Sequence, residues 1–288
     1  MRVRFWGTRG SIPSPGPETV IYGGNTSCVE VRLRAGGEII LDAGSGIRKL
    51  GMALMLEPRV EAALLLTHVH WDHIQGFPFF MPAYRAGNVL DIFGLVVSNR
   101  RIEQLLSDQM EQAYFPVDLR SLRASIGFHD LGASEFECHG ARVRMLRVNH
   151  TTETAGFRIE ADGLSCVYIP DNELAHCGEP GKLAYAQFVE FCAGTDLLIH
   201  DSQYSEAVYP RYRGWGHSTF ERSLRLALDA RAKRYALFHY DPQTTDSEVE
   251  MRLARCREEV AAARSPLDCF ASREGFEVDL AVPAGQRF

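Results

Sequence analysis

Residues 64–77, with the sequence LLLTHVHWDHIQGF, constrain the fold and chemistry of the chain most. An apolar run is followed within six positions by His68, His70, Asp72 and His73. Residues two apart in an extended segment point the same way, so His68 and His70 can converge on one ion. Asp72 and His73 lie past a bend and can reach a second ion. Imidazole and carboxylate without thiolate suit Zn²⁺, Mn²⁺ or Fe, whereas a fortuitous cluster of core or surface histidines is the alternative.

Polar residues also end three later apolar runs. His150 closes RMLRVNH, Asp171 closes CVYIPD and His239 lies near the end of YALFHYD. Taken singly, each is equally explained as a capping or turn residue. A two-metal site needs more ligands than one turn supplies, so together with the first cluster they predict a dinuclear site. Asp171 is the best candidate for a carboxylate that bridges both ions.

Composition excludes several classes of protein. The 288 residues are 45% hydrophobic, which is ample for a continuous core. A formal charge of -6 argues against a protein that coats nucleic acid non-specifically. No apolar run approaches the roughly 18 residues that span a bilayer, and MRVRFWGTRG lacks the apolar segment of a signal peptide, so we expect a cytoplasmic protein. The 7 scattered cysteines form no CxxC pair and indicate neither a disulfide framework nor a thiolate zinc site.

Short β-rich runs and amphipathic helices recur along the chain. Strands are predicted at RVRFW, CVEVRLR, EIILDAG and AALLLTH, and a hairpin at the Asp162-Gly163 turn. Helices are predicted at SNRRIEQLLSDQMEQAY, capped by Ser98 or Asn99, after a capping box that begins at Ser218, and over about 247–263. No long linker or repeat interrupts this pattern. We therefore expect an α/β fold in one domain, residues 1–288, with two β-rich halves and the helices outside.

The motifs THVHWDHIQG, NH, PDN and FHYDP, in this order and spacing, resemble the metal motifs of the metallo-β-lactamase superfamily. The resemblance covers nearly the whole chain. It implies an αββα four-layer sandwich with a dinuclear site at the sandwich edge. By their positions in these motifs, the residues that would bind the first ion are His68, His70 and His150. Those that would bind the second are Asp72, His73 and His239, and Asp171 would bind both. The implied cofactors are two divalent metal ions; we expect Zn²⁺, with Mn²⁺ or Fe as alternatives.

Within this superfamily the same ligands serve β-lactams, thioesters, lactones and phosphodiesters, so other residues must decide the reaction. DLLIHDSQY followed by GWGHST resembles the phosphodiesterase branch that includes the tRNA 3′-processing endonuclease. Asp201 and His217 match an acidic residue and its histidine partner there, with Asp replacing the more usual Glu. The resemblance implies that a metal-bridging hydroxide attacks while His217 and Asp201 assist the phosphoryl or leaving oxygen. The predicted catalytic residues are Asp72, Asp201 and His217, although His217 is also explained as a residue that precedes a helix cap.

The substrate expectation comes from the loops. Bacterial forms of that endonuclease usually insert a long arm between the motifs that match His150 and Asp171, where this chain has a short hairpin. FWGTRGSIPSPG and YGGNTSCVEV resemble a group described as cyclic-nucleotide phosphodiesterase-like. We expect a small or cyclic nucleotide phosphodiester as the partner and neither a membrane nor a long nucleic acid, with a homodimer left open. The alternatives are a thioesterase or lactonase of the same fold and a non-catalytic nucleotide sensor.

Several residues keep two interpretations. The loops GTRGS and GGNTS place Arg9, Ser11, Asn25 and Thr26 either against a substrate or in loop packing. Trp71 and the FPFF run after it either stack a base or belong to the core.

Overall fold

The computed structural model describes residues 1–285. In chain order its strands are β1 (Arg2–Gly7), β2 (Cys28–Arg32), β3 (Glu38–Leu41), β4 (Glu61–Leu65), β5 (Val89–Gly94), β6 (Ser125–Asp130), β7 (Glu135–Cys138), β8 (Ala141–Arg147), β9 (Ala155–Ala161), β10 (Leu164–Ile169), β11 (Leu197–Asp201), β12 (Arg234–Phe238), β13 (Asp268–Ala271) and β14 (Glu277–Asp279). The α-helices are α1 (Ile47–Leu54), α2 (Trp71–Ile74), α3 (Ile102–Gln109), α4 (Tyr185–Cys192), α5 (Phe220–Asp229) and α6 (Asp246–Ala262). Single 3₁₀ turns occur at Pro17–Thr19, Phe77–Phe79, Met81–Tyr84, Leu119–Ser121, Leu174–His176 and Tyr209–Arg211.

The strands form two seven-stranded sheets. Their orders are β14-β1-β2-β3-β4-β5-β6 and β13-β12-β11-β10-β9-β8-β7. In the first sheet β3 to β6 run parallel, and in the second β10 to β13 do so. The carboxyl ends of parallel neighbours lie at one edge of their sheet, which is where such sheets commonly bind ligands.

The apolar side chains divide into three packed layers. The central layer joins the inner faces of both sheets, for example Val31 of β2 with Phe157 of β9. A second layer lies between the first sheet and helices α1 and α3. The third layer lies between the second sheet and helices α4, α5 and α6. This layering is the predicted αββα sandwich and confirms it. Burying each such large apolar side chain contributes roughly 1.5 to 3 kcal/mol.

Two predicted helix caps are wrong. Ser98 and Asn99 have φ values of 51° and 61°, and α3 begins after Arg101, where the Asp130 carboxylate on β6 accepts from the Ile102 N–H at 3.1 Å. Helix α5 is capped by Thr219 instead of Ser218. Ser218 accepts the Leu174 N–H at 3.1 Å, because its hydroxyl joins two loops of the second sheet.

The last helix follows its prediction closely. Thr245 caps α6 and forms a capping box with Glu248. Val249, Leu253, Cys256 and Val260, the predicted apolar face, are buried. Among residues 1–285, no helix combines the length and the apolarity that crossing a bilayer requires.

Candidate metal centre

The predicted metal ligands gather at the edge of the sandwich in two groups. His68, His70, His150 and Asp171 each offer a ligand atom within 4.8 Å of the others, and Asp72, His73 and His239 do the same. Residues 68–73 follow β4 of the first sheet, whereas His150, Asp171 and His239 follow β8, β10 and β12 of the second. The fold thus brings together every side chain that the sequence placed in this site.

Asp171 lies between the two groups. Its Oδ2 is 3.8 Å from His68 Nε2 and 3.7 Å from His150 Nε2. Its Oδ1 is 3.1 Å from His73 Nε2 and 3.2 Å from His239 Nε2. One carboxylate therefore presents a different oxygen to each group, an arrangement in which a single ligand can bridge two ions.

Four histidine rings are held through Nδ1, which leaves Nε2 facing the cluster. The partners of these Nδ1 atoms are Thr67 Oγ1 for His68 (3.1 Å), Asp42 Oδ2 for His73 (2.8 Å), the Gly216 carbonyl for His150 (2.8 Å) and Gln203 Oε1 for His239 (2.9 Å). These contacts fix both the ring orientation and the tautomer that a metal ligand needs.

The sequence analysis missed Asp42. This buried carboxylate holds His73 and also accepts the Thr67 N–H at 2.8 Å and the Tyr168 hydroxyl at 2.9 Å. Asp42 and His239 have φ values of 60° and 63°, a conformation that is uncommon outside glycine and often found at functional sites. Asp42 directly follows the apolar residues of β3, so the signal that identified Asp171 was present here too.

Glu173 was missed as well, and no sequence signal points to it. Its buried carboxylate accepts the Gly214 N–H at 2.7 Å, the Gly216 N–H at 2.8 Å and the Tyr209 hydroxyl at 2.6 Å. It therefore fixes residues 209–216, including the Gly216 carbonyl that contacts His150 Nδ1.

The predicted pair of Asp201 and His217 is in contact. His217 Nδ1 lies 3.0 Å from Asp201 Oδ2 and 3.8 Å from Asp171 Oδ2. Asp201 is fully buried, and its carboxylate also accepts the backbone N–H groups of Asn172 at 3.1 Å and Gln203 at 3.0 Å. Asp201 thus fixes the His217 ring beside the cluster.

Burial and neighbouring charges set the protonation of the site. Burial would lower the pKa of His217, but the carboxylates of Asp201 and Asp171 outweigh it and raise that pKa to about 9. Burial, opposed by Asp171, lowers the pKa of His150 to about 4, so this ring is neutral at pH 7, the form that binds metals. Burial would raise the pKa of Asp171, yet the surrounding imidazoles hold it well below its usual range.

These donors fit a pair of divalent ions. Asp42, Asp72 and Asp171 are at most 5% exposed, and such buried charges need cations or hydrogen bonds around them. His68 Nε2 is buried and has no hydrogen-bond partner among residues 1–285, and Asp171 Oδ1 faces the Nε2 atoms of His73 and His239. Imidazole nitrogen with carboxylate oxygen is the ligand set of Zn²⁺, Mn²⁺ or Fe sites.

A cavity of about 460 Å³ opens over the cluster. It is lined by Ser11, Val69, His70, Trp71, Asp72, Asp171 and His217. The Ser11 N–H donates to Asp72 Oδ2 at 2.7 Å. The cavity gives a substrate access to the carboxylates and to His217.

The other ambiguous loop residues divide between packing and the site. Arg9 is fully buried and donates to the carbonyls of Gly23 and Thr244, and Asn25 donates to Glu274 at 2.9 Å. Thr26 is likewise buried, so of these loop residues only Ser11 reaches the cavity.

The aromatic residues that follow the ligand motif are also divided between the core and the surface. Phe77 and Phe80 are 1% exposed and belong to the core, and Phe79 is half exposed. Trp71 is 81% exposed and lines the cavity.

Comparison with known proteins bears on the fold and the reaction. The family described as "Beta-lactamase superfamily domain" matches residues 38–240. "Ribonuclease Z" of Metallosphaera sedula is 25% identical over 295 residues, covering 88% of this chain and 93% of that protein. The metallo-beta-lactamase fold protein YhfI of Bacillus subtilis superposes with a TM-score of 0.68 at 17% identity, covering 96% of this chain and 98% of that one. Human tRNase Z, short form, superposes with a TM-score of 0.66 at 19% identity, covering 98% and 100%.

The expectation of a small-molecule partner without long nucleic acid is wrong. It is contradicted by the relatives named Ribonuclease Z, which align with most of this chain. The resemblance of the loops misled because a sequence pattern shared within a superfamily does not by itself fix the substrate. The short hairpin between His150 and Asp171 bears on how a substrate is gripped, and it does not exclude RNA as the substrate.

Proposed function

Because the chain belongs to the β-lactamase superfamily, we propose that this metal-dependent phosphodiester hydrolase cleaves RNA. The observation that carries the choice of RNA is the alignment with Ribonuclease Z of Metallosphaera sedula over 88% of the chain. The contact between His217 and Asp201 beside the cluster supports this chemistry, since it fixes an imidazole that can bind a phosphoryl oxygen or protonate the departing oxygen.

We propose the same division of ligands as the motifs imply. His68, His70 and His150 would hold one ion, Asp72, His73 and His239 would hold the other, and Asp171 would serve both. The placement of the two Asp171 oxygens supports this division. Zn²⁺ is the expected metal because the donor set is rich in imidazole, and Mn²⁺ or Fe would suit the same atoms.

The residues of the chain orient the reacting groups. When bound, a pair of divalent ions activates water for attack and neutralises charge on the phosphoryl group. Asp72 is held for its ligand role by the Ser11 N–H at 2.7 Å and by His239 Nε2 at 3.1 Å. His217, fixed through Nδ1 by Asp201, binds a phosphoryl oxygen or gives a proton to the departing oxygen.

A substrate panel tests this function. Metal-replete protein is assayed with an RNA hairpin that carries an unpaired 3′ extension, with bis(p-nitrophenyl) phosphate, with a thioester and with a lactone. We expect turnover of both phosphodiesters and cleavage of the RNA near its duplex end. Turnover restricted to the thioester or the lactone, or RNA binding without cleavage, contradicts the proposal.

A further inference from the structure

Two of the 3 tryptophans in the chain are exposed beside the site. Trp71 is 81% exposed and Trp215 is 60% exposed, whereas Trp6 is buried and its indole N–H donates to Glu30 at 2.7 Å. Trp71 lies between His70 and Asp72 in the sequence, and Trp215 lies two residues before His217. Large apolar side chains that a fold leaves in water commonly mark interaction sites.

The two tryptophans reach the site from different sheets. Trp71 begins α2, directly after β4 of the first sheet, and lines the cavity over the cluster. Trp215 lies between β11 and α5 of the second sheet, next to the glycine whose carbonyl receives His150 Nδ1. An RNA strand bound over the cluster would therefore lie near exposed tryptophans contributed by both sheets.

Trp215 is held on a fixed loop. The Glu173 carboxylate accepts the N–H groups of Gly214 and Gly216, the residues on either side of Trp215. The Tyr212 ring contacts the Trp215 indole edge to face, with centroids 5.3 Å apart. An aromatic ring that is already ordered loses little entropy on binding.

Positive charge accompanies the aromatic rings. Residues 209–216, with the sequence YPRYRGWG, place Arg211 and Arg213 on the exposed face of the same loop. Arg213 donates to Glu179 at 3.0 Å, and no ion-pair partner of Arg211 occurs in the part of the chain that the structure describes. Lys182 Nζ donates to the His150 carbonyl at 3.0 Å. Basic side chains next to exposed aromatic rings are typical of surfaces that bind single-stranded nucleic acid, and an apolar protein partner would not need them.

We propose that Trp71 and Trp215 stack unpaired bases near the scissile phosphate, while Arg211 contacts a neighbouring backbone phosphate. This inference rests on the proposed function and narrows its substrate to RNA that is single-stranded at the cleavage point. Stacking tolerates any base, so the site selects unpaired structure more than sequence.

Kinetics on matched substrates test the stacking. The kcat/KM is measured on the hairpin RNA, on the same hairpin with abasic nucleotides flanking the cleaved bond, and on bis(p-nitrophenyl) phosphate. The variants are Trp71→Ala, Trp215→Ala and the conservative Trp71→Phe and Trp215→Phe. Tyr114→Ala is the matched control, because Tyr114 is 80% exposed yet does not line the cavity.

Each alanine variant should lower the ratio of RNA to bis(p-nitrophenyl) phosphate turnover about fivefold or more, and phenylalanine should restore most of it. Tyr114→Ala should leave the ratio unchanged. The wild-type protein should show a similar loss on the abasic RNA, and this comparison does not depend on how the variants fold.

Three results overturn the inference. The first is equal wild-type turnover of the abasic and normal RNA, and the second is tryptophan variants that match Tyr114→Ala. The third is light scattering in which Trp215→Ala converts a dimer to a monomer without changing RNA turnover, since the surface would then bind a second copy of the chain. A metal-replete wild-type protein that cleaves neither phosphodiester overturns the proposed function itself, whereas RNA cleavage without a penalty for abasic flanks overturns only the stacking.

Discussion

At the scale of single residues, the clustering of the candidate ligand histidines was predictable, and the groups that orient their rings were not. Each ligand outside the HVHWDH run lies where an apolar strand stops, a signal that a single sequence carries. The groups that orient the rings are distant in sequence: the Gly216 carbonyl is 66 residues from His150, and Gln203 is 36 residues from His239. Only the fold brings such a carbonyl or amide to a ring nitrogen, so its role has no local sequence signature.

Replacing His217 by alanine tests the acid or electrostatic assistance assigned to this ring. We expect phosphodiester turnover to fall roughly 10²-fold or more, the scale of a lost general acid or charge-stabilising group. Metal analysis should show unchanged occupancy, because Asp171 and the other ligands remain. The control is His129→Ala, since His129 is an exposed histidine on β6 that contacts Asp91. Unchanged turnover would remove the catalytic role, and lost metal would make His217 a ligand.

At the scale of elements, strands were easier to predict than helix starts. The apolar runs of β3, β4, β10 and β12 end where their polar neighbours begin, so their positions are visible in the sequence. The start of α3 depends on Asp130, which is 28 residues from Ile102, so local capping patterns pointed elsewhere. A cap supplied by another strand cannot be read from neighbouring residues.

Two glycines of the Glu173-bound loop form a matched pair for mutation. Gly214 and Gly216 both have a φ of 88°, so alanine adds similar backbone strain at each, about 1 to 2 kcal/mol. A Cβ at Gly216 would lie 2.2 Å from His150 Nδ1, whereas a Cβ at Gly214 would have no atom of residues 1–285 within 4 Å beyond its chain neighbours. We expect both variants to lose thermal stability, Gly216→Ala by more because it adds the clash with His150 and loses bound metal, and we expect only Gly216→Ala to lose phosphodiester turnover and metal occupancy. Equal turnover of the two variants would show that the loop does not position His150.

Glu38, on β3 and away from the site, makes the stability of the folded protein depend on pH. Burial, and then the neighbouring Glu30, raise the pKa of Glu38 from 4.5 to about 9, although Arg32 lies 3.0 Å away and opposes this. Because the folded pKa lies above the unfolded value, the stability that Glu38 contributes is complete below about pH 4.5 and is lost as the pH rises towards 9.

Glu38→Gln should therefore raise the melting temperature at pH 8 relative to the wild-type protein, with a smaller difference at pH 5. Thermal unfolding at the two pH values measures this, and the exposed Glu61→Gln is the control. An identical difference at both pH values would contradict the assigned pKa shift.

At the scale of the whole molecule, the layers were predictable and the strand order was not. Apolar runs and amphipathic helices indicated two β-rich halves covered by helices, and the motif resemblance implied the sandwich. The pairing of β14 with β1, which sets Val3 opposite Val278, joins segments from opposite ends of the described chain. Such pairing follows from the closed fold and has no sequence signature of its own.

Removing the metal should affect both activity and stability. Ions that bind only the folded protein stabilise it by about 2.7 kcal/mol at a free concentration of 100 times Kd. Exhaustive chelation should abolish phosphodiester turnover and lower the melting temperature, because the buried carboxylates then repel one another. Zn²⁺, Mn²⁺ and Fe²⁺ added back separately identify the ion that restores both. A protein indifferent to chelation would contradict the assignment of a metal centre.

The assigned ligands come from both sheets: residues 68–73 follow a strand of one, while His150, Asp171 and His239 follow strands of the other. Bound ions would consequently hold the two sheets together across the seam of the sandwich. Any breathing motion that parts the two sheets also dismantles the coordination shell, so the rate at which metal escapes reports how often the seam opens.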